Sequence, residues 1–412
     1  MSITKSYFFS TLLIFFFPLS LAINLVNFFW MDIVFVLMTF AAIAVSEKTW
    51  PKIQSTFGLK SKLLLCLFGA YFLSGILGYV LYSPMQANEL TKIGNLRWIW
   101  GFFACFSAGY LLAKRKIQFN WYFSALVLVL IFIIAKQLDE TSGTLISREH
   151  RIQGLYSNPN YFAMAVALVW ATMLPFAIYN QNNKSRIGAA LVLFFAGVIL
   201  IATYTRTSWI AMLAAVSVAL IYSKNKKAFA ISAFVIGVFS LAILLNWFDL
   251  KDRILYSFNI QTNNSQGERF AVWNAAWHLF LDHPTFGVGF EYAAKLFREY
   301  YVKLGQSTSY VPGHTHNQFF DVLTGAGIVG LAGFLGAFIS GLVFFHKKFK
   351  SATEVIEKQL SLGAILCIVA FFGCSFTETP IIQQGPRNYI LIILGFSYGY
   401  LSGKDKKQLS SE

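Results

Sequence analysis

The sequence predicts an all-α, polytopic membrane protein of about twelve transmembrane helices with one large, partly helical loop on the outer side, and three observations carry that expectation. Composition comes first: 57% of the 412 residues are hydrophobic and 12% are charged, too little polar surface to cover a water-soluble globule. Second, the apolar residues fall into runs close to the roughly 20 residues that a helix needs to cross a hydrocarbon core of about 30 Å. Third, every second connection between those runs is basic, the pattern of loops retained in the cytoplasm.

Taken in order, the runs lie at 7–24, 28–46, 63–82, 95–113, 119–137, 160–179, 187–203, 207–222, 228–247, 317–345, 360–378 and 387–401. Lys5 ahead of the first run resembles a secretory signal, yet the run continues without a small-residue cleavage site and reads as a retained anchor. Spacing is irregular and shows no internal repeat. The expected division is 1–247 for spans one to nine, 248–316 for the large loop, and 317–412 for the last three spans with a tail.

Charge gives the orientation. With the N-terminus inside, the segments carrying Lys48 to Lys62, Lys114 to Lys116, Lys184 and Arg186, Lys224 to Lys227, Lys347 to Lys358 and Lys404 to Lys407, together with Lys5, hold 20 of the 33 cations. They hold five of the 18 acids, so the entire formal charge of +15 sits on one side. Topology therefore explains the basic balance, and nucleic-acid binding is excluded as its cause. Both termini are expected in the cytoplasm and the loop 248–316 in the periplasm. That loop is rich in Gly, Asn, Tyr and both signs of charge, with helical patterns near Glu268–Leu281 and Tyr292–Leu304. A second outer loop runs from Leu138 to Asn160. Long polar loops on one side of a bundle are where work is usually done. The four cysteines, Cys66, Cys105, Cys367 and Cys374, fall inside apolar spans and read as packed thiols that cannot staple the loop.

Chemistry is sought on the outer face, where arginines recur: Arg97, Arg148, Arg151, Arg206, Arg253, Arg269, Arg298 and Arg387. Arg206 sits in the short turn YTRTSW, which puts a guanidinium at interfacial depth, where a cation is costly unless it meets an anion. Snorkelling to headgroups is the plain reading; a phosphate clamp is the sharper one, since the planar fork matches phosphate oxygens bidentately. In GERFAVWNAAWHLFLDHPTFGVGFEYA, Gly267 and Glu268 open a helix with Arg269 in its first turn, and a Pro-Gly turn precedes another helix near Glu291. Gly-x-Gly before a helix can offer N–H groups to an anion, though it is more often only a turn. YSNPNYFA reads as a helix entry capped by Asn158 with Pro159 in the first turn. His314 and His316 stand at the mouth of the tenth span. A zinc site wants three or four ligands, and His278, His283 and scattered carboxylates make a poor set, so no metal is expected. His316 and Asn317 share the outer face with Arg206 and Arg269, and a histidine can take a proton from a hydroxyl near neutral pH.

At these residues the sequence resembles the O-antigen ligase superfamily of bacterial inner membranes, whose members handle glycans linked to undecaprenyl pyrophosphate. The resemblance rests on TRTSW, GERFAVW, HPTFGVGFE and HNQFFDVLTGAGIVG in combination with the large penultimate loop, and covers most of the chain from Asn158 onward. Family ligases carry His followed by Asn, Ser or Gln, nine residues, Gly, two residues and Gly, Thr or Tyr; His316, Asn317, Gly327 and Gly330 match. An Arg followed four positions on by Leu is also usual, and here Ile210 follows Arg206.

The resemblance implies a metal-independent, inverting glycosyltransferase of GT-C-like architecture without cofactor, moving O-antigen from its undecaprenyl-pyrophosphate carrier to lipid A-core at the periplasmic face of a Gram-negative inner membrane, in lipopolysaccharide biosynthesis. Arg206, Arg269 and His316 would be catalytic, the arginines on the leaving pyrophosphate and His316 on the acceptor hydroxyl. Asn317, Arg387 and Arg97 would join them in binding substrate, and His314, off the motif, would be a bystander. An O-antigen polymerase differs only in its acceptor, another carrier-linked repeat. A lipid-linked sugar transporter would want repeats and mid-bilayer charges, whereas Asp32 and Lys136 lie near span ends. A protein-glycosylating relative is a further alternative, though such enzymes carry a larger C-terminal periplasmic part.

Overall fold

The computed structural model describes residues 59–82, 97–113, 120–141, 143, 150–223, isolated positions between 229 and 255, 264–290 and 292–409. The first two expected spans, nearly half of the ninth, and Arg148 and Arg253 lie outside the described residues. Every regular element described is a helix: α1 Leu59–Tyr82, α2 Arg97–Leu112, α3 Asn120–Glu140, α4 Pro159–Tyr179, α5 Asn183–Ala202, α6 Arg206–Ser223, α7 Asn264–Asp282, α8 Tyr292–Lys303, α9 Gln318–Ser351, α10 Val355–Ser375 and α11 Gln384–Leu409. Among them α4, α5, α6, α9 and α10 are long and apolar enough to cross a membrane. The chain is a multi-pass membrane protein.

Packing follows the apolar faces. α4 is buried along nearly its whole length, ringed by α5, α6, α10 and α11, while α2 lies against α11 and α1 against α9. Leu168, Leu366, Phe371 and Ile392 meet in this core, and aromatic side chains interleave across α9 and α10, with Phe338 stacked on Phe371 at 5.0 Å. In lipid such close packing replaces the hydrophobic drive between helices. All four cysteines are free; Cys105, Cys367 and Cys374 are buried, as expected of packed thiols, whereas Cys66 is exposed.

Caps and turns fix which end of the bundle each helix begins at. Asn158 caps α4, accepting the Asn160 N–H at 2.8 Å with Pro159 in the first turn, as YSNPNYFA predicts. α6, α9 and α11 start at the end where α5 and α10 finish, so residues 150–160, 203–208, 313–318 and 376–384 gather there. Lys184, Arg186, Lys347, Lys348, Lys350 and Lys358 sit on helix ends at the opposite pole, where Lys404 reaches Glu354 at 2.7 Å.

The loop helices α7 and α8 have a small core of their own, built from Val272, Ala275, Ala276, Leu279, Ala293, Phe297 and Tyr301. Both match the expected helical patterns, but α7 begins at Asn264, which puts Arg269 in its second turn rather than its first. The expected span 360–378 also ends early: the α-helix stops at Ser375. Hydropathy overran because Phe376 is apolar, while Pro380 shortly beyond cannot continue a helix.

The most unusual backbone lies in α9, which is kinked at Gly327 with φ 63° and ψ −164°. A kink frees carbonyls and N–H groups that lipid cannot satisfy. The segment 284–289 satisfies them from the side: Val288 and Gly289 donate to the carbonyls of Thr324 and Gly325, both at 2.9 Å, and Ile328 and Val329 donate to Pro284 and Thr285 at 2.8 and 3.3 Å. The Ser74 hydroxyl donates to the Ala326 carbonyl at 2.5 Å. Only glycine suits position 327, because a Cβ there would stand 2.3 Å from the Thr285 carbonyl oxygen. HPTFGVGF thus clasps the broken helix. The first and second of its glycine-flanked N–H groups, at Val288 and Gly289, face protein carbonyls rather than an anion.

Candidate functional site

Arg206, Arg269 and His316, chosen from three separate stretches of sequence, line one cavity of about 250 Å³ together with Arg151, Asn160, Tyr204, Thr205, Thr207, Glu268, Pro312 and Glu378. This is smaller than the roughly 300–1,000 Å³ of drug-sized ligand pockets and suits a charged head better than a whole oligosaccharide. Three arginines face two carboxylates and one histidine, so the lining has spare positive charge for an anion.

Glu378 is the hub. It is 1% exposed; its Oε1 accepts from Asn160 Nδ2 at 2.9 Å and from Arg269 Nη2 at 3.3 Å, and its Oε2 lies 3.2 Å from His316 Nδ1. A buried carboxylate persists only with such partners. With a carboxylate on Nδ1, the imidazole keeps its proton there and presents Nε2 as the acceptor. Asn160 extends the network, since its Oδ1 accepts from Arg151 Nη2 at 2.6 Å, and Arg151 also donates to Thr205 Oγ1 at 2.9 Å and to the Thr203 carbonyl at 2.6 Å. These bonds tie the turn carrying Arg206 to α4. Tyr204 in that turn has φ 50°, and Thr207 Oγ1 meets Thr377 Oγ1 at 2.5 Å. The turn that carries Arg206 into the cavity lining is therefore held from both sides.

His316 is held with similar care. Its φ of 51° is a left-handed conformation uncommon outside glycine, the kind of local strain that concentrates at working sites. Neighbours hold it: Trp273 Nε1 donates to the Thr315 carbonyl at 2.8 Å, and the Thr315 N–H donates to Asp321 Oδ1 at 3.0 Å. Asn317 caps α9 by accepting from the N–H groups of Phe319 and Phe320, and its Nδ2 donates to the Phe376 carbonyl at 3.0 Å. His314 lies beside His316, ring centroids 4.1 Å apart; burial first, then the charge of His316, pushes its imidazole down to about 4. His314 is consequently neutral at pH 7 and too weak a base for hydroxyl deprotonation there.

The remaining expected site residues fall elsewhere. Asn317 has its side-chain oxygen and amide both engaged in shaping the turn. Arg387 does not line the cavity; Nη1 donates to the Ile381 carbonyl at 3.5 Å, in the turn that Gln318 also grips through the Ile381 N–H at 2.9 Å. Arg97 opens α2 and its side chain lies outside the described residues. Arg298 is exposed on α8. Sequence reasoning named Arg151 only among the outer arginines and missed Asn160 and Glu378. Extending the span to 378 hid Glu378, although an acid at the end of an apolar run is itself a functional signal. It also left the ligand inventory short, because His314, His316 and Glu378 place ligand atoms within 4.8 Å of one another.

Teichuronic acid biosynthesis protein TuaE of Bacillus subtilis (strain 168) is 23% identical over 352 residues, covering 80% of this chain and 70% of the relative. The O-antigen ligase family model matches residues 189–335. That segment runs from α5 past the kink of α9 and holds Arg206, Arg269, His316 and Gly327, and over it the chain is similar to the O-antigen ligase family.

Proposed function

We propose that the protein is an O-antigen ligase, transferring a glycan from undecaprenyl pyrophosphate to a sugar hydroxyl of lipid A-core at the periplasmic face of a Gram-negative inner membrane. The observation that supports this best is the cavity in which Arg206 and Arg269 face His316 across the buried Glu378. In this reading His316 Nε2 takes the proton of the acceptor hydroxyl, whose oxygen attacks the anomeric carbon as the bond from that carbon to the phosphate oxygen breaks. Negative charge grows on the departing pyrophosphate, and the guanidiniums of Arg206 and Arg269 offset it. Displacement from the opposite face inverts the anomeric centre. Glu378 orients the imidazole and holds Arg269 in place, and the apolar bundle seats the polyprenyl chain. No step calls for a metal, so transfer by purified protein survives EDTA.

The polymerase reading has its own support in the relative named for teichuronic acid biosynthesis. There the hydroxyl reaching His316 would belong to another carrier-linked repeat. Deleting the gene separates the two. Loss of a ligase leaves full-length chains on the lipid carrier and bare core lipopolysaccharide; loss of a polymerase leaves core capped by one repeat. Silver-stained gels read the difference, and a one-repeat band overturns the ligase reading. Orientation is tested separately by fusing alkaline phosphatase near Asn264, where an inactive reporter would place the loop in the cytoplasm.

A further inference from the structure

We propose that His314, His316 and Glu378 form a zinc-binding site whose occupation inhibits transfer. Two imidazoles and one carboxylate are a ligand set that suits zinc and related transition ions, whereas magnesium and calcium want oxygens. All three ligand atoms lie within 4.8 Å of one another. Two ligands each about 2 Å from one zinc ion stand roughly 3–4 Å apart, so side-chain rotation of about an ångström closes the set. The Thr315 turn and the segment after α10 already bring the three side chains together, with His316 and Glu378 lining the cavity and His314 beside them.

A second observation points the same way. His314 Nε2 is buried without a hydrogen-bond partner, an expensive state for a ring nitrogen that a bound ion would relieve. The other two ligands are the groups on which the proposed chemistry depends. An ion held there occupies His316, the proton acceptor, and draws on the carboxylate that now pairs with Arg269. Binding and catalysis thus compete for the same side chains. Three arginines around the cavity repel a cation, which sets the affinity below that of a structural zinc site and makes occupation reversible.

The inhibitory half of this inference rests on the proposed transferase reading; the binding half does not, and the experiment reads them separately. Tag-free, full-length protein in detergent is stripped with EDTA and titrated with zinc against a chromophoric chelator, then assayed for transfer with and without zinc. One zinc per chain is expected. His314→Gln weakens binding by at least the roughly tenfold that losing even a group hydrogen-bonded to a metal ligand costs. The same variant keeps transfer and loses its sensitivity to zinc, while magnesium changes nothing in either protein. His278→Gln, on the exposed face of α7, serves as the control and binds zinc as the parent does. If His314→Gln does not fold, zinc protection against thermal unfolding is compared between the parent and Glu378→Gln, and equal protection overturns the site. No bound zinc, or binding indifferent to His314, overturns it as well. Zinc bound through His314 with transfer at full rate overturns inhibition alone. Absence of transfer in every sample counts against the transferase reading, and the zinc count still decides the site.

Discussion

At one end of the bundle Glu378 is 1% exposed and meets Arg269, Asn160 and His316; at the other, Glu354 is 51% exposed and meets Lys404 at 2.7 Å. The two poles draw on the same residue types. At the basic pole most of the cations sit on helix ends, the pattern expected of loops retained in the cytoplasm. At the opposite pole three arginines converge on a cavity with a buried carboxylate and a strained histidine, and a charge buried as Glu378 is interacts more strongly than one in water. What makes charge chemical here is convergence and burial.

The largest contrast is in turnover. Changing Arg206, Arg269 or His316 to Ala lowers transfer by roughly a hundred- to a thousandfold, the usual cost of removing a transition-state charge donor or a general base. Lys347→Gln, Lys348→Gln and Lys350→Gln together leave it unchanged. Initial rates in proteoliposomes check both, and full activity in Arg206→Lys would replace bidentate recognition with mere positive charge. Stability gives the next contrast. Glu378→Ala leaves Arg269 unpaired and removes the anchor of Asn160, costing about 3–5 kcal/mol, whereas Lys404→Ala at the exposed pair costs at most about 1 kcal/mol. Thermal unfolding in detergent measures the difference, and equal shifts would mean that the Glu378 network is open to water.

The clasped kink can be set against an open helix. Gly327→Ala puts a side chain at φ 63° and against the Thr285 carbonyl, for about 1–3 kcal/mol of destabilisation, while Gly267→Ala on α7 meets nothing within 4 Å and gains up to about 1 kcal/mol. The smallest effect lies in the outer loop. Asp282 accepts from Tyr300 at 2.6 Å and from Lys303 at 3.2 Å, and these bonds, the tyrosine's foremost, hold its carboxyl below the ordinary carboxylate value of 3.8. A lowered acid stabilises the fold above its unfolded value and withdraws that support as pH falls through its folded value. Unfolding midpoints at pH 5 and pH 3 should therefore differ slightly more in the parent than in Asp282→Asn. An identical pH response in the two would show that the pair is fully screened.

Much of this was legible along the chain, for identifiable reasons. Bilayer thickness makes an apolar run of fixed length a helix whatever its neighbours, so α4, α5, α6 and α9 were readable from hydropathy, and a capped Asn-Pro entry placed Asn158 and Pro159 without knowledge of packing. Arg206, Arg269 and His316 could be singled out because a cation or histidine beside lipid needs a reason. Tertiary structure alone decided which of the outer polar residues meet. Nothing local tells Glu378 to pair with residues 62, 109 and 218 positions away, nor divides Asn317 and Arg387, which hold turns, from Arg151 and Asn160, which line the cavity. Nor does a Gly-x-Gly reveal whether its N–H groups await an anion or, as here, the carbonyls of a broken helix. Burial propensity and helix period are properties of a residue and its near neighbours, whereas a hydrogen bond between distant segments exists only after packing has chosen which helix ends share a pole.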